Sequence, residues 1–100
     1  MKYTLIDGEN GAVTVRIEGQ LDAITVSDIR PLFDQLTERR PRMVTLDLSA
    51  LRLIDSSGVG AIVSLFKRVR SDNGDFHVRG ASGQPLAIFK LLRLDRVFSL

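Results

Sequence analysis

Six consecutive residues, Asp55-Ser56-Ser57-Gly58-Val59-Gly60, gather more chemistry than any other stretch of the chain. An apolar run ends just before them at Ile54, and an amphipathic pattern begins just after them. At the start of a helix the first N–H groups lack intrahelical partners, so Ser56 or Ser57, or Asp55 before them, can serve as the cap. A helix start needs one cap, which leaves polar side chains over. Gly58 and Gly60 fall in the first helical turn, where each costs about 1 kcal/mol relative to alanine. Glycine at such a place permits close approach by another backbone. The helix start also carries partial positive charge and free donors, so a phosphate carried by a serine there is tolerated by the fold.

Other chemistry fits less well. The esterase elbow G-x-S-x-G needs a glycine two residues before the nucleophile, but Ile54 stands there for Ser56 and Asp55 for Ser57. A serine triad also needs a histidine base. The one histidine, His77, lies in the strand-like "FHVRG" with Phe76 and Val78 pointing to the other face, as a surface or packing histidine does. "SGVG" lacks the lysine and the spacing of a phosphate-binding loop. Asp7, Asp47, Asp55 and Asp75 do not have the spacing of a metal loop. No catalytic residue, metal or cofactor is expected.

The elements that must hold the motif alternate. Tyr3 to Ile6 predicts a short strand, residues 7–11 a turn, and Ala12 to Glu18 a half-buried strand antiparallel to the first, with Val13, Val15 and Ile17 on one face. Gly19 ends it. A helix follows, with Thr25 and Asp28 at capping-box spacing and Val26, Ile29, Leu32, Phe33 and Leu36 on one face. Pro31 means that this helix either starts nearer Asp28 or bends. Met43 to Leu48 is a strand, and "SALRLI" reads as a connection to the motif. The next helix runs from about Ser57 to Ser71, with Val59, Ile62, Val63, Phe66 and Val69 on its apolar face and Gly74 available for a positive φ after it. Asp75 to Arg79 is a strand, Pro85 to Leu92 a third helix with Ile88, Phe89 and Leu92 inward, and "RVFSL" at 96–100 the start of a last strand. The order β-β-α-β-α-β-α-(β) predicts one mixed, mostly parallel sheet of four to five strands with helices packed on it.

A chain of 100 residues is one domain, long enough to bury roughly 65% of its unfolded surface. Its 44% hydrophobic and 26% charged residues are those of an ordinary globular protein. It has no cysteine, so disulfides and thiolate metal sites are excluded. No apolar run approaches the ~20 residues that span a membrane, and Asp7 and Glu9 interrupt the N-terminus too early for a secretion signal. The expected location is the cytoplasm, without membrane insertion. Net charge is +2, and the basic runs "ERRPR" and "KRVR" are short enough to be a solvated turn and a solvated helix face. Nucleic acid is not an expected partner.

With these residues in place, the chain resembles a STAS domain of the anti-sigma-factor antagonist family. The resemblance rests on "IEGQLDAITVSDIRPLF" at 17–33, on "VTLDLSALRLIDSSGVGAIVSLFKRVR" at 44–70, and on the spacing to "RLDRVFSL" at 93–100. It implies a non-enzymatic module that works by partner switching. The unphosphorylated form binds an anti-sigma factor that is also a serine kinase of ATPase-type fold, phosphorylation of Ser56 abolishes binding, and a metal-dependent serine phosphatase restores it. It further implies partner contacts from Asp22, Asp55, Ser57, Gly58, Gly60, Ser64 and Lys67, with Asp55 orienting the Ser56 hydroxyl or assisting at the kinase site, Asp22 near Ser56, and Leu65 a candidate exposed apolar contact. The alternative within the family is a STAS subunit that stabilises a partner, such as a transporter ATPase, without a phosphorylation cycle. Family members usually continue into a C-terminal helix after "DRVF", so the expectation here is that this helix is missing or truncated.

Overall fold

The computed structural model describes all residues, 1–100. Strands β1 (Lys2–Asp7), β2 (Ala12–Leu21), β3 (Met43–Ile54) and β4 (Asp75–Arg79) form one sheet in that spatial order. The β1–β2 pair is antiparallel, as the short turn between them requires, and the β2–β3 and β3–β4 pairs are parallel. Helices α1 (Val26–Glu38) and α2 (Ser56–Ser71) are the crossovers, and α3 (Gly83–Leu91) and a short α4 (Leu94–Val97) follow β4.

The strand alternation decides where the core sits. Val13, Val44 and Phe76 share one row across the sheet, and Val15, Leu46 and Val78 the next. All six are buried. The intervening rows, Thr14–Thr45–His77 and Arg16–Asp47–Arg79, lie on the opposite face, which carries no helix. Ile29, Phe33 and Leu36 of α1 and Ile62, Leu65 and Val69 of α2 close the core from the other side.

Three expectations are corrected and one open choice is decided. The "SALRLI" segment is strand, because β3 runs to Ile54. Its pairing with β2 shifts twice, between Arg16 and Glu18 and between Gly19 and Gln20, and each shift inserts one extra residue in β3. An extra residue turns the following side chains to the other face, so the buried set runs Leu48, Leu51, Ile54 rather than every second residue. Second, α1 begins at Val26 and holds Pro31 inside it, with the ring exposed. Third, the turn after α2 uses Asn73 in the left-handed region, φ 66°. Gly74 is needed for space instead, since a Cβ there would lie 2.7 Å from the Pro41 carbonyl oxygen. Fourth, residues 96–100 form no strand. Arg93 turns left-handed at φ 60° and starts α4, which folds Phe98 back into the core.

Phe98 meets three rings. Its centroid lies 5.7 Å from Phe66, 5.7 Å from Phe76 and 5.6 Å from Phe89, distances at which aromatic pairs attract. This cluster joins α2, β4 and α3 to the chain end. Phe98→Ala is therefore expected to lose about 3–5 kcal/mol of stability, read as a lower midpoint in urea unfolding followed by circular dichroism. A loss under about 1 kcal/mol would show that the last segment does not hold α3 in place.

Candidate functional site

The site forms where β3 ends and α2 begins. Asp55 has extended backbone (φ −110°, ψ −173°) and is the helix N-cap. Its Oδ1 accepts from the Gly58 N–H at 3.0 Å, and its Oδ2 accepts from the Ala23 N–H at 3.0 Å. Its own N–H donates to the Leu21 carbonyl at 3.2 Å, and its carbonyl accepts from Val59 N–H at 2.9 Å. Of the three cap candidates, Asp55, Ser56 and Ser57, the Asp55 carboxylate does that job. It accepts from backbone N–H groups and takes no hydrogen bond from the Ser56 hydroxyl.

The loop that Asp55 reaches is built around Asp22. The Asp22 Oδ1 accepts from the N–H of Ile24 at 3.0 Å and of Thr25 at 2.9 Å. These bonds, the one from Thr25 first, hold its carboxyl below the ordinary value, because they favour the charged form. The Thr25 hydroxyl accepts from Asp22 N–H at 2.9 Å and donates to the Gln20 carbonyl at 3.0 Å, so the expected Thr25–Asp28 capping box does not form. Two carboxylates thus hold three successive N–H groups, 23 to 25. The loop lies against the start of α2 and presents Ile24, 83% exposed, at its tip.

Ser56 is the first residue of α2 and is exposed; Ser57 is half-buried. The Ser56 hydroxyl makes no hydrogen bond within the chain, and His77 lies on the open face of the sheet, beside Thr45, away from the helix-covered side. No side-chain base addresses Ser56. The Gly58 N–H is occupied by Asp55, while those of Ser56 and Ser57 have no intrahelical acceptor.

The glycines divide. A Cβ on Gly58 would stand 2.5 Å from the Leu21 carbonyl oxygen and 2.7 Å from Ile54 Cγ1, so the backbone that approaches closely is the chain's own β2 end. Gly60 faces open space, with nothing within 4 Å. Along α2 the surface row continues through half-buried Val63 and Ser64 to exposed Lys67. Leu65 does not belong to it: its exposure is 0%, and it is a core residue.

Beside Ser56 runs a groove of about 620 Å³ between α2 and α3, walled chiefly by Val59, Gly60, Val63, Ile88 and Leu92. Gln84 lines it beside Ile54. Its Oε1 accepts from Ile54 N–H and its Nε2 donates to the Ile54 carbonyl, both at 2.9 Å. The side-chain amide stands in for a strand rung where β4, paired only as far as Asp47, does not reach. The groove escapes the periodicity of the sequence, which sets Ile88 and Leu92 inward with Phe89; only Phe89 is fully buried. Gln84 and Ile24 carry no sequence signal beyond an apolar residue in a polar loop.

The STAS domain family model matches residues 3–100. Among characterised relatives, the anti-sigma F factor antagonist of Paenibacillus polymyxa is 31% identical over 74 residues, which is 73% of this chain and 63% of the relative's length. Among solved structures, an anti-sigma factor antagonist from Mycobacterium paratuberculosis superposes with a TM-score of 0.83 at 19% identity, over 97% of this chain and 81% of that one. The Bacillus cell fate determinant SpoIIAA in its phosphorylated form gives 0.78 at 21% identity, over 95% and 86%.

The two glycines predict opposite responses to the same change. Gly58→Ala forces a methyl into a backbone carbonyl and is expected to lose about 2 kcal/mol or more. Gly60→Ala has room and a better helix former, and is expected to gain up to about 1 kcal/mol. Paired urea titrations read both; equal effects would refute the packing given for Gly58.

Proposed function

The chain belongs to the STAS domain family, and from that premise we propose that it is an anti-sigma-factor antagonist that works by partner switching, with Ser56 as the phosphorylated residue. It is a binding module of the cytoplasm. In the unphosphorylated form it binds an anti-sigma factor that is also a serine kinase of ATPase-type fold, and so frees that protein's client. Transfer of the γ-phosphoryl group of ATP to Ser56 Oγ leaves ADP and sends the hydroxyl proton to a base of the kinase. A metal-dependent serine phosphatase returns the hydroxyl.

The observation that carries this reading is the state of Ser56. It is the exposed first residue of α2, its hydroxyl has no partner within the chain, and every polar group of Asp55 beside it is already engaged. A phosphate adds about −1.5 to −2 charges. The positive end of α2 accepts that charge, so the fold needs no rearrangement. A partner seated in the apolar groove and over Gly60 has nothing to offer it. A loss of roughly 3 kcal/mol lowers affinity roughly a hundredfold.

In this reading Asp22 and Asp55 contribute by shaping the loop that carries Ile24. Ser57, Gly60, Ser64 and Lys67 offer the α2 surface row to the partner, and Gly58 contributes by letting α2 start against β2. The exposed Ile24 supplies an apolar anchor at the rim, and Val63, Ile88 and Leu92 supply the groove.

The test pairs modification with binding. With the cognate kinase and ATP, wild type is expected to gain one phosphate and Ser56→Ala none; phosphate on Ser56→Ala at the wild-type rate sinks the assignment. Ser56→Asp is expected to bind the unmodifying kinase–ADP complex at least ~10-fold more weakly with an unchanged melting temperature. Stable binding to a partner with no phosphate on any residue would favour a constitutive STAS subunit instead. Gly60→Phe, at a position open to solvent, is expected to weaken the same complex at least ~10-fold without loss of stability; unchanged affinity in calorimetric titration would move the docking surface off α2.

A further inference from the structure

The two edges of the sheet are protected unequally. An edge strand presents unpaired N–H and C=O groups, which proteins blunt with charge, proline or bulges. At the β4 edge, Asp75 and Arg79 carry charge on either side of His77, held 3.7 Å from Arg70 and 3.7 Å from Asp47. At the other edge, β1 has charge only at its ends, Lys2 and Asp7. Between them stand Tyr3, Thr4, Leu5 and Ile6, without proline, glycine or bulge, in a register with β2 that is unbroken over all six pairs. Every residue of β1 is exposed, and Tyr3, Leu5 and Ile6 remain 44%, 36% and 51% accessible.

We propose that β1 is a self-association edge: a second copy of this chain adds its own β1 antiparallel, making one continuous eight-stranded sheet. The strand is complementary to itself in one register. A two-fold axis normal to the sheet keeps the helix-covered face of both copies on the same side, so residues that meet must share a face and differ by an even number. Pairing centred on Thr4 sets Thr4 against Thr4 on the open face. It sets Tyr3 against Leu5 of the second copy, twice, on the helix side. Aromatic–aliphatic and threonine pairs are favourable across strands. Centring on Leu5 instead sets Tyr3 against Asp7, whose carboxylate already holds Arg39 at 2.6 Å. The Thr4 register is the better one.

Two strands of about 17 Å bury less than the roughly 1,000 Å² of a lasting interface, so the dimer forms as concentration rises. Ser56 follows β3, two strands in from this edge. Both copies keep it free, and the antiparallel arrangement sets the two serines at opposite ends of the joint sheet. The inference stands apart from the partner-switching reading.

Sedimentation equilibrium from ~10 µM to ~1 mM, the range such a small interface implies, is expected to show mass rising from 11.1 kDa toward twice that value. Thr4→Lys and Thr4→Glu each place like charges opposite one another at the axis and are expected to weaken association at least ~10-fold. An equimolar mixture of the two is expected to associate again. Thr4 is exposed, so both variants should melt with the wild type; if Thr4→Lys does not fold, Thr4→Glu, which faces Arg16 on β2, carries the same test alone. A wild type that stays monomeric, variants that associate as it does, or a mixture that fails to recover overturns the proposal; the last two would assign the edge to another register or to a foreign strand.

Discussion

The carboxylate of Asp55 is the joint on which the site is built. One oxygen caps α2 and the other reaches across to the Ala23 N–H, so one side chain sets both the helix start and the loop before α1. Charge-assisted bonds to backbone N–H groups are roughly twice as strong as neutral ones, and here they act on two elements 32 residues apart in sequence. The main chain of the same residue is used as fully, by Leu21 on one side and Val59 on the other. With Asp55 so occupied, the polar surplus of the motif falls to the serines. Ser56, one residue on, is left with an exposed hydroxyl and no work in the fold.

That joint depends on where β3 delivers it. Two extra residues in β3 turn Leu51 and then Ile54 into the core, and Ile54 in turn lies where a Cβ on residue 58 would have to be. The bulges, the buried glycine and the cap are therefore one arrangement: α2 starts close to the end of β2 because Gly58 has no side chain and Ile54 points under it. Gln84 completes the arrangement from α3 by pairing with both backbone groups of Ile54. The apolar groove beside Ser56 is the space left between the helix that Asp55 starts and the helix that Gln84 anchors.

The sheet and the helix order were legible because their signals are periodic and local. Val13, Val15 and Ile17 alternate, and Val59, Ile62, Phe66 and Val69 recur at helical spacing. What stayed hidden depends on pairs distant in sequence. The bulges of β3 break the period of two, so Ser49 to Ile54 looks like a connection. The choice of Asp55 over the serines as cap is decided by the Ala23 N–H, which no local pattern reveals. Leu65 looks like a flank residue until α1 is packed beside α2. "RVFSL" has the composition of a strand, but Phe98 packs instead among three aromatic rings from α2, β4 and α3. Gly58 and Gly60 look alike in the sequence; one is required by the interior and the other faces only solvent.

That last difference bears on how a charge can act as a switch without a change of shape. A modification at a residue that contributes hydrogen bonds would trade binding against stability, since each lost bond takes about 1 kcal/mol from a fold whose whole margin is about 5–15 kcal/mol. The Ser56 hydroxyl contributes none, and it sits at the end of α2 where negative charge is favoured. In the proposed switch, a phosphate there is nearly neutral or favourable for the isolated chain, and its unfavourable effect would fall on a complex that had to bury it against apolar side chains. Differential interaction of this kind is what a ligand or a modification needs to shift an equilibrium. On that proposal the cap makes the switch possible: Asp55 holds the helix start through Gly58 and Ala23 without using Ser56, so a charge added at Ser56 would stay where an incoming surface has to meet it.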